Sequence, residues 1–220
     1  MIASTNNVVD ALSRSFASAS KNTQPYPHWQ LRNCLPQDVA NAMIAMPFQA
    51  PGLDGLSGKR ELHNNTRTYF DAANQAKFPV VRLVSEALQD ARTTTMIERQ
   101  FAINLAGSYL RIEYAMDIDG FWLEPHTDLG VKLFTFLLYL STDPGHADLG
   151  TDIYDANKAH VGRSPFVSNG AMVFVPGSDT YHGFEKRPIA GVRKSVIINY
   201  VTDEWRAREQ LADPGSPIGS

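Results

Sequence analysis

His126 and Asp128 stand two residues apart, and a third imidazole, His182, follows later in the chain. Two imidazoles and one carboxylate hold a divalent iron ion on one face and leave its other positions open for small molecules and oxygen. In a strand, residues i and i+2 project from the same face, so His126 and Asp128 can reach one ion while Thr127 turns away. The segment 121–129, bounded by Gly120 and Gly130, is short enough to be such a strand at the mouth of a barrel. His182 is the preferred third ligand. It follows a β-type run at 172–175 and a turn, Pro176-Gly177-Ser178-Asp179, that returns the chain to the same end of a sheet. His28, His63, His146 and His160 lie in Pro-flanked, polar or basic surroundings and are expected to face solvent. A His-x-Asp pair is common by chance, so the assignment rests on three groups taken together with the strand that follows them.

That strand runs from Gly191 to Tyr200 and puts Arg193, Ser195, Ile197 and Asn199 on one face. An arginine inside an apolar strand needs a partner, because burying its charge alone costs several kcal/mol. The carboxylate of a small molecule, held by the guanidinium fork and the Ser195 hydroxyl, would supply one. The alternative is a strand-edge Arg193 paired with a surface Asp or Glu. Tyr114 lies on the apolar face Leu110, Ile112, Tyr114 and Met116. It is either a further contact to the bound carboxylate or a core residue whose hydroxyl is satisfied elsewhere.

The elements that must position these groups divide the chain in two. Residues 4–17 carry Val8, Val9, Leu12 and Phe16 at helical spacing behind the cap candidates Ser4, Thr5 and Asn6. A second helix follows Pro36 with Val39, Met43 and Met46, and a third, over 79–97, has a continuous apolar face suited to packing on a sheet. Residues 51–57 and 59–78 read as loop or irregular strand. From 108 onward the pattern changes to short β-type runs at 109–116, 133–141, 152–154, 159–161, 171–175 and 193–201, separated by Gly-containing turns. Many short strands at this spacing predict a sandwich, jelly roll or barrel. A short helix is expected at 204–211 and a loose tail at 212–220.

With 220 residues, 43% of them hydrophobic, the chain can bury one sizeable core and calls for no second domain. A net charge of −3 with no long basic run gives no electrostatic footprint for nucleic acid or an anionic membrane. Cys34 is the lone cysteine, so an intrachain disulfide and a Cys-built zinc site are both excluded. The start of the chain lacks a signal-peptide pattern, and the longest apolar run, 133–140, is far too short to span a bilayer. A cytoplasmic protein, monomer or homodimer, is expected.

The residues quoted above resemble the 2-oxoglutarate and Fe(II)-dependent dioxygenase superfamily, in particular its small bacterial prolyl-hydroxylase-like members. The resemblance runs from about 110 to 201. It comprises Glu124-Pro125-His126-Thr127-Asp128, the strand at 134–140, the turn at 149–154, the block at 169–175, then Thr180-Tyr181-His182-Gly183 and Gly191-Val192-Arg193-Lys194-Ser195. It implies a mainly β protein with flanking helices: a double-stranded β-helix, the jelly-roll or cupin-like fold, with N-terminal helices buttressing one sheet. It further implies that His126, Asp128 and His182 bind Fe(II). The co-substrate 2-oxoglutarate would chelate the metal and present its distal carboxylate to Arg193 and Ser195, with help from Tyr114. Reaction with O2 would hydroxylate a small-molecule or peptide substrate and release succinate. Halide-using relatives lack the carboxylate ligand that Asp128 provides. The family's paired-glycine turn is replaced here by Leu149-Gly150-Thr151.

Three functional classes are consistent with these residues: such an oxygenase, a cupin-type metal-dependent isomerase or epimerase, and a non-catalytic jelly-roll binder. The carboxylate clamp favours the first over the second, and the intact triad disfavours the third. Repair of alkylated nucleic acid would use the same ligands but calls for a basic groove, against the acidic balance of this chain. Substrate contacts are expected from the segment 63–70, including Arg67, from the loop 116–122 and from 178–181.

Overall fold

The structure is a computed structural model and describes residues 3–53, 57–59 and 67–219. Its elements in chain order are α1 (Thr5–Ala17), β1 (Ser20–Asn22), β2 (His28–Leu31), α2 (Gln37–Ile44), β3 (Thr68–Tyr69), α3 (Ala72–Lys77), α4 (Pro79–Gln89) and α5 (Ala91–Phe101). They are followed by β4 (Tyr109–Ile118), β5 (Leu123–His126), β6 (Lys132–Tyr139), β7 (Asp152–Tyr154), β8 (His160–Arg163), β9 (Gly170–Phe174), β10 (His182–Phe184) and β11 (Val192–Val201). Two antiparallel sheets result, a larger one in the order β1-β2-β9-β6-β11-β4-β3 and a smaller one in the order β5-β10-β7-β8. This is the expected double-stranded β-helix with supporting helices.

Alternation along β11 separates two cores. Val196, Ile198 and Tyr200 join Ile112, Phe134 and Phe136 against Val8, Leu12 and Phe16 of α1 and Val84 and Leu88 of α4. The Tyr200 hydroxyl crosses this layer to donate to Leu88 O at 2.6 Å. Ile197 belongs instead to the core shared by the two sheets, with Leu137, Met172, Phe174, Leu123, Ile153 and Phe184. A one-residue slip would exchange the two sets, so burial on both faces fixes the register.

Several local expectations are revised. The helix expected over 79–97 is two helices, because Asp90 adopts an extended conformation and its side chain accepts from Arg92 N, capping α5. In α1, Ser4 and Asn7 form a reciprocal capping box. The segment 67–78 is more regular than a loop, contributing β3 and α3. The helix expected at 204–211 contracts to a 3-10 turn at Arg208–Gln210. The tail at 212–219 is held rather than loose: Ala212 N donates to Leu110 O, Ile218 N to Ser108 O and Gly107 N to Ile218 O, with Ala212 and Ile218 buried.

His28 and His146, expected in solvent, are both buried. His28 lies in β2 between β1 and β9, and burial lowers its pKa. His146 is bonded through its two nitrogens to Ser141 Oγ and Ala190 O. His160 is exposed, as expected. His63 lies outside the described residues, as do parts of the expected loops at 51–57 and 59–78. Cys34 is a free, buried thiol that burial pushes up to about 12. Among the described residues no helix is long and apolar enough to cross a membrane.

Phe136 has no exposed surface and meets Phe16 edge to face at 5.7 Å. Phe136→Ala is expected to lower unfolding stability by about 3–5 kcal/mol, read from the midpoint of a denaturant titration at unchanged slope.

Candidate active site

His126 ends β5 and His182 begins β10, and the two residues are directly paired across the small sheet. Close approach of these strands depends on Gly183, where a Cβ would lie 2.7 Å from Leu123 O. The imidazole centroids are 4.4 Å apart. Each Nδ1 is bonded to the backbone carbonyl two residues earlier, Glu124 O at 2.9 Å and Thr180 O at 3.0 Å. As donors to those carbonyls the Nδ1–H groups fix the tautomer whose Nε2 lone pair can ligate a metal.

Asp128 does not share a strand with His126, since β5 stops at His126. Its carboxylate is instead aimed by two donors: Lys132 Nζ at 2.5 Å to Oδ1 and Thr135 Oγ1 at 2.6 Å to Oδ2. Burial pushes the Asp128 carboxyl up, but the Lys132 ammonium, His182 and the hydrogen bonds from Lys132 and Thr135 outweigh it and hold it well below the usual carboxylate range. One ligand atom from each of His126, Asp128 and His182 lies within 4.8 Å of the others. Two imidazoles and a carboxylate at that separation fit a divalent cation.

The three residues line a cavity of about 800 Å³ between the sheets, which Arg193 and Ser195 also line. Arg193 is buried, and β11 is a central strand rather than an edge. Its partner is not a surface acid but buried Asp117, the residue directly opposite on β4, at 2.5 Å. Its Nε donates to Leu149 O at 2.6 Å, and the guanidinium sits 4.7 Å from the Phe184 ring centroid. The turn that supplies Leu149 O needs Gly150, where a Cβ would fall 1.7 Å from Ser164 O. Tyr139, opposite Ser195, adds a hydroxyl to this end of the cavity, bonded to Thr151 Oγ1 and Ser164 Oγ.

Tyr114 is a correction. It projects to the helix side of β4, the face opposite Arg193, and its hydroxyl donates to Met43 O at 2.8 Å. The apolar face that carries it is inward, but toward the helices and not toward the cavity. Of the expected substrate segments, Arg67 and Phe121 line the cavity, while Trp122 packs over Gly58 and none of the described residues 178–181 lines it.

Past the triad the cavity has a second polar end that sequence reading did not find. Thr135 Oγ1 accepts from Asn199 Nδ2, and Asn199 Oδ1 accepts from Arg111 Nη1 at 3.3 Å. Arg111 also donates to Glu113 Oε2 at 3.0 Å, and Arg67 Nε lies 3.3 Å from Glu113 Oε1. A hydrogen-bonded chain therefore runs from the carboxylate of Asp128 to a pair of arginines. The available signal was the alternation of Arg111 and Glu113 with apolar neighbours in β4, the pattern that marked Arg193.

A second group of potential ligands among the described residues is Asp152, His160 and Glu185. Asp152 is already bonded to Arg163 Nε and Arg187 Nη1, both at 2.6 Å. Two guanidinium groups fill the place a cation would take, and the cluster is an ion-pair hub.

No family model matches this sequence, and no curated protein does. The fold, however, is shared with solved prolyl hydroxylases. A prolyl 4-hydroxylase from Pseudomonas putida matches 89% of this chain and 93% of its own, at 15% identity and a TM-score of 0.54. Prolyl 4-hydroxylase from Phytophthora capsici matches 95% of this chain and 69% of its own, at 12% identity and a TM-score of 0.61. A prolyl hydroxylase of Trichoplax adhaerens, solved with a peptide fragment of hypoxia inducible factor, matches 90% and 88%, at 12% identity and a TM-score of 0.56. The double-stranded β-helix read from the sequence is thus the architecture of these hydroxylases.

Thr135→Val removes one of the two donors that aim Asp128. Loss of such a partner commonly costs 10–100-fold in metal affinity, so Mn(II) titration is expected to give a dissociation constant raised by roughly 10-fold or more. An unchanged constant would mean that Thr135 does not orient Asp128.

Proposed function

We propose that the protein is an Fe(II)- and 2-oxoglutarate-dependent oxygenase that hydroxylates a small polar metabolite or a peptide-linked residue. The observation that carries this reading is the convergence of His126, Asp128 and His182 on the wall of the cavity that also contains the buried Arg193 guanidinium. Iron(II) with 2-oxoglutarate and O2 supplies oxidation of a C–H group coupled to release of succinate and CO2.

The residues divide the work. His126, Asp128 and His182 hold the metal, with Lys132 and Thr135 fixing the Asp128 carboxylate. Arg193 and Ser195 hold the distal carboxylate of 2-oxoglutarate. Asp117 and Leu149 O each engage one edge of the guanidinium, leaving its other N–H groups to that carboxylate. Leu137, Ile197 and Phe184 wall the space between clamp and metal, excluding water and strengthening each charge interaction. A cupin-type isomerase or epimerase has no need of a buried arginine on that wall, and an inactive binder has no need of an ionised carboxylate beside two oriented imidazoles. The peptide held by the Trichoplax hydroxylase supports a peptide-linked residue as one of the two substrate classes. A reducing, cytoplasmic setting suits Fe(II) and a free Cys34.

With Fe(II), O2, 2-oxoglutarate and ascorbate as the reductant that stands in for substrate, the protein is expected to release succinate slowly, and Asp128→Ala to abolish that release. Arg193→Leu combined with Asp117→Leu removes both members of the buried pair, so no charge is stranded. That double variant is expected to keep Fe(II) binding and to raise the KM for 2-oxoglutarate roughly 10- to 100-fold. Wild-type turnover in Asp128→Ala would contradict the assignment.

A further inference from the structure

The cavity has two polar ends, and 2-oxoglutarate accounts for only one. Arg193 and Asn199 share a face of β11 but stand six residues apart, about 20 Å in an extended strand. A five-carbon diacid bound between the triad and Arg193 does not reach the Asn199 end. There Arg111 lies buried between two rings, its guanidinium carbon 4.9 Å from the Tyr69 centroid and 5.0 Å from that of Trp205. Gln210 Oε1, Asn199 Oδ1, Tyr69 Oη and Glu113 Oε2 accept from it, which holds it rigidly.

This polar end also contains unused hydrogen-bonding capacity. Thr202 and Trp205 both line the cavity, and Thr202 Oγ1 and Trp205 Nε1 are buried atoms without a hydrogen-bond partner among the described residues. Buried polar atoms of this kind are rare in folded proteins and call for an explanation. Here they are two potential donors beside two guanidinium groups. A ligand that satisfies them is an acceptor, and Arg67, Arg111 and Arg206 against the two carboxylates Glu113 and Glu204 in the cavity lining favour a negatively charged one. Leu129, Val131 and Ile197 line the cavity alongside and would pack against an apolar body.

We infer that this end of the cavity, built from Arg67, Arg111, Thr202 and Trp205, is the substrate subsite, and that the substrate is a small molecule joining one carboxylate to an apolar body. This rests on the oxygenase reading and selects the free metabolite over the peptide-linked residue. Trp205 Nε1–H and the Thr202 hydroxyl donate to the carboxylate, and Arg111 acts as a positioning residue that orients Trp205 and supplies field. The hydrogen-bonded chain through Asn199 and Thr135 to Asp128 ties the subsite to the proposed metal ligand.

The test uses protein loaded with Mn(II) and saturating 2-oxoglutarate, so that Arg193 is occupied. Hexanoate, benzoate and L-proline are titrated by calorimetry against hexanamide, benzamide and L-prolinamide. At least one acid is expected to bind roughly tenfold or more tighter than its amide. Trp205→Phe and Thr202→Val, each verified as folded by circular dichroism, are expected to erase most of that preference. Equal binding of acids and amides, no acid binding at millimolar concentration, or an acid preference untouched in both variants would overturn the subsite. Failure of the oxygenase reading is separately visible, as absence of 2-oxoglutarate binding to the metal-loaded wild type before any acid is added.

Discussion

The structure depends on the two-residue period of β11, a strand buried on both faces in the middle of the larger sheet. Its even positions, Val196, Ile198 and Tyr200, lock the sheet to the helices, while Arg193, Ser195 and Ile197 line the cavity and Asn199, on the same face, bonds to Thr135 and Arg111 beside it. The same parity governs its neighbour β4, where Asp117, Glu113 and Arg111 stand opposite Arg193, Ile197 and Asn199. Packing of the helical layer therefore fixes which charged groups face the site. Helical support and chemistry are coupled through register, and a slip by one residue would bury the arginines among α1 and α4.

Buried charges around the cavity are met by opposite charges, which explains how a low-dielectric interior tolerates them. Arg193 is held by Asp117 and Asp128 by Lys132, while Arg111 and Arg67 share Glu113. A buried ion pair contributes little net stability against its desolvation cost, but breaking one is expensive. Each pair is thus a means of fixing a side chain in place more than a source of stability. At Asp128 the effect extends to protonation, because Lys132 and Thr135 keep the carboxylate ionised despite its burial. The arrangement keeps the Asp128 carboxylate ionised at neutral pH although its side chain is buried.

Much of the site was legible in the sequence because its residues violate their surroundings. His126, Asp128 and His182 stand close to strands at ligand spacing, and Arg193 interrupts an apolar strand; the structure brings all four to one cavity. What the sequence concealed were properties of register and layer. Pairing of Arg193 with Asp117 is a cross-strand fact, invisible without knowing that β4 and β11 align 117 with 193. Tyr114 was correctly read as inward, yet the fold has two interiors, and an alternation pattern does not say which one a face meets. Asp90 divided an apolar run that looked continuous because its side chain offers the backbone an alternative to the helix. The polar character of 212–219 suggested a loose tail, whereas backbone hydrogen bonds to 107–110, with Ile218 buried, hold it.

The most direct test of the account is the visible spectrum of anaerobic protein on adding Fe(II) and then 2-oxoglutarate. A charge-transfer band that needs both additions and is lost in Asp128→Ala is the predicted result, because it reports metal and co-substrate bound together at the triad. No band in well-folded wild-type protein would contradict the account and return the molecule to the cupin-type isomerases or the non-catalytic binders.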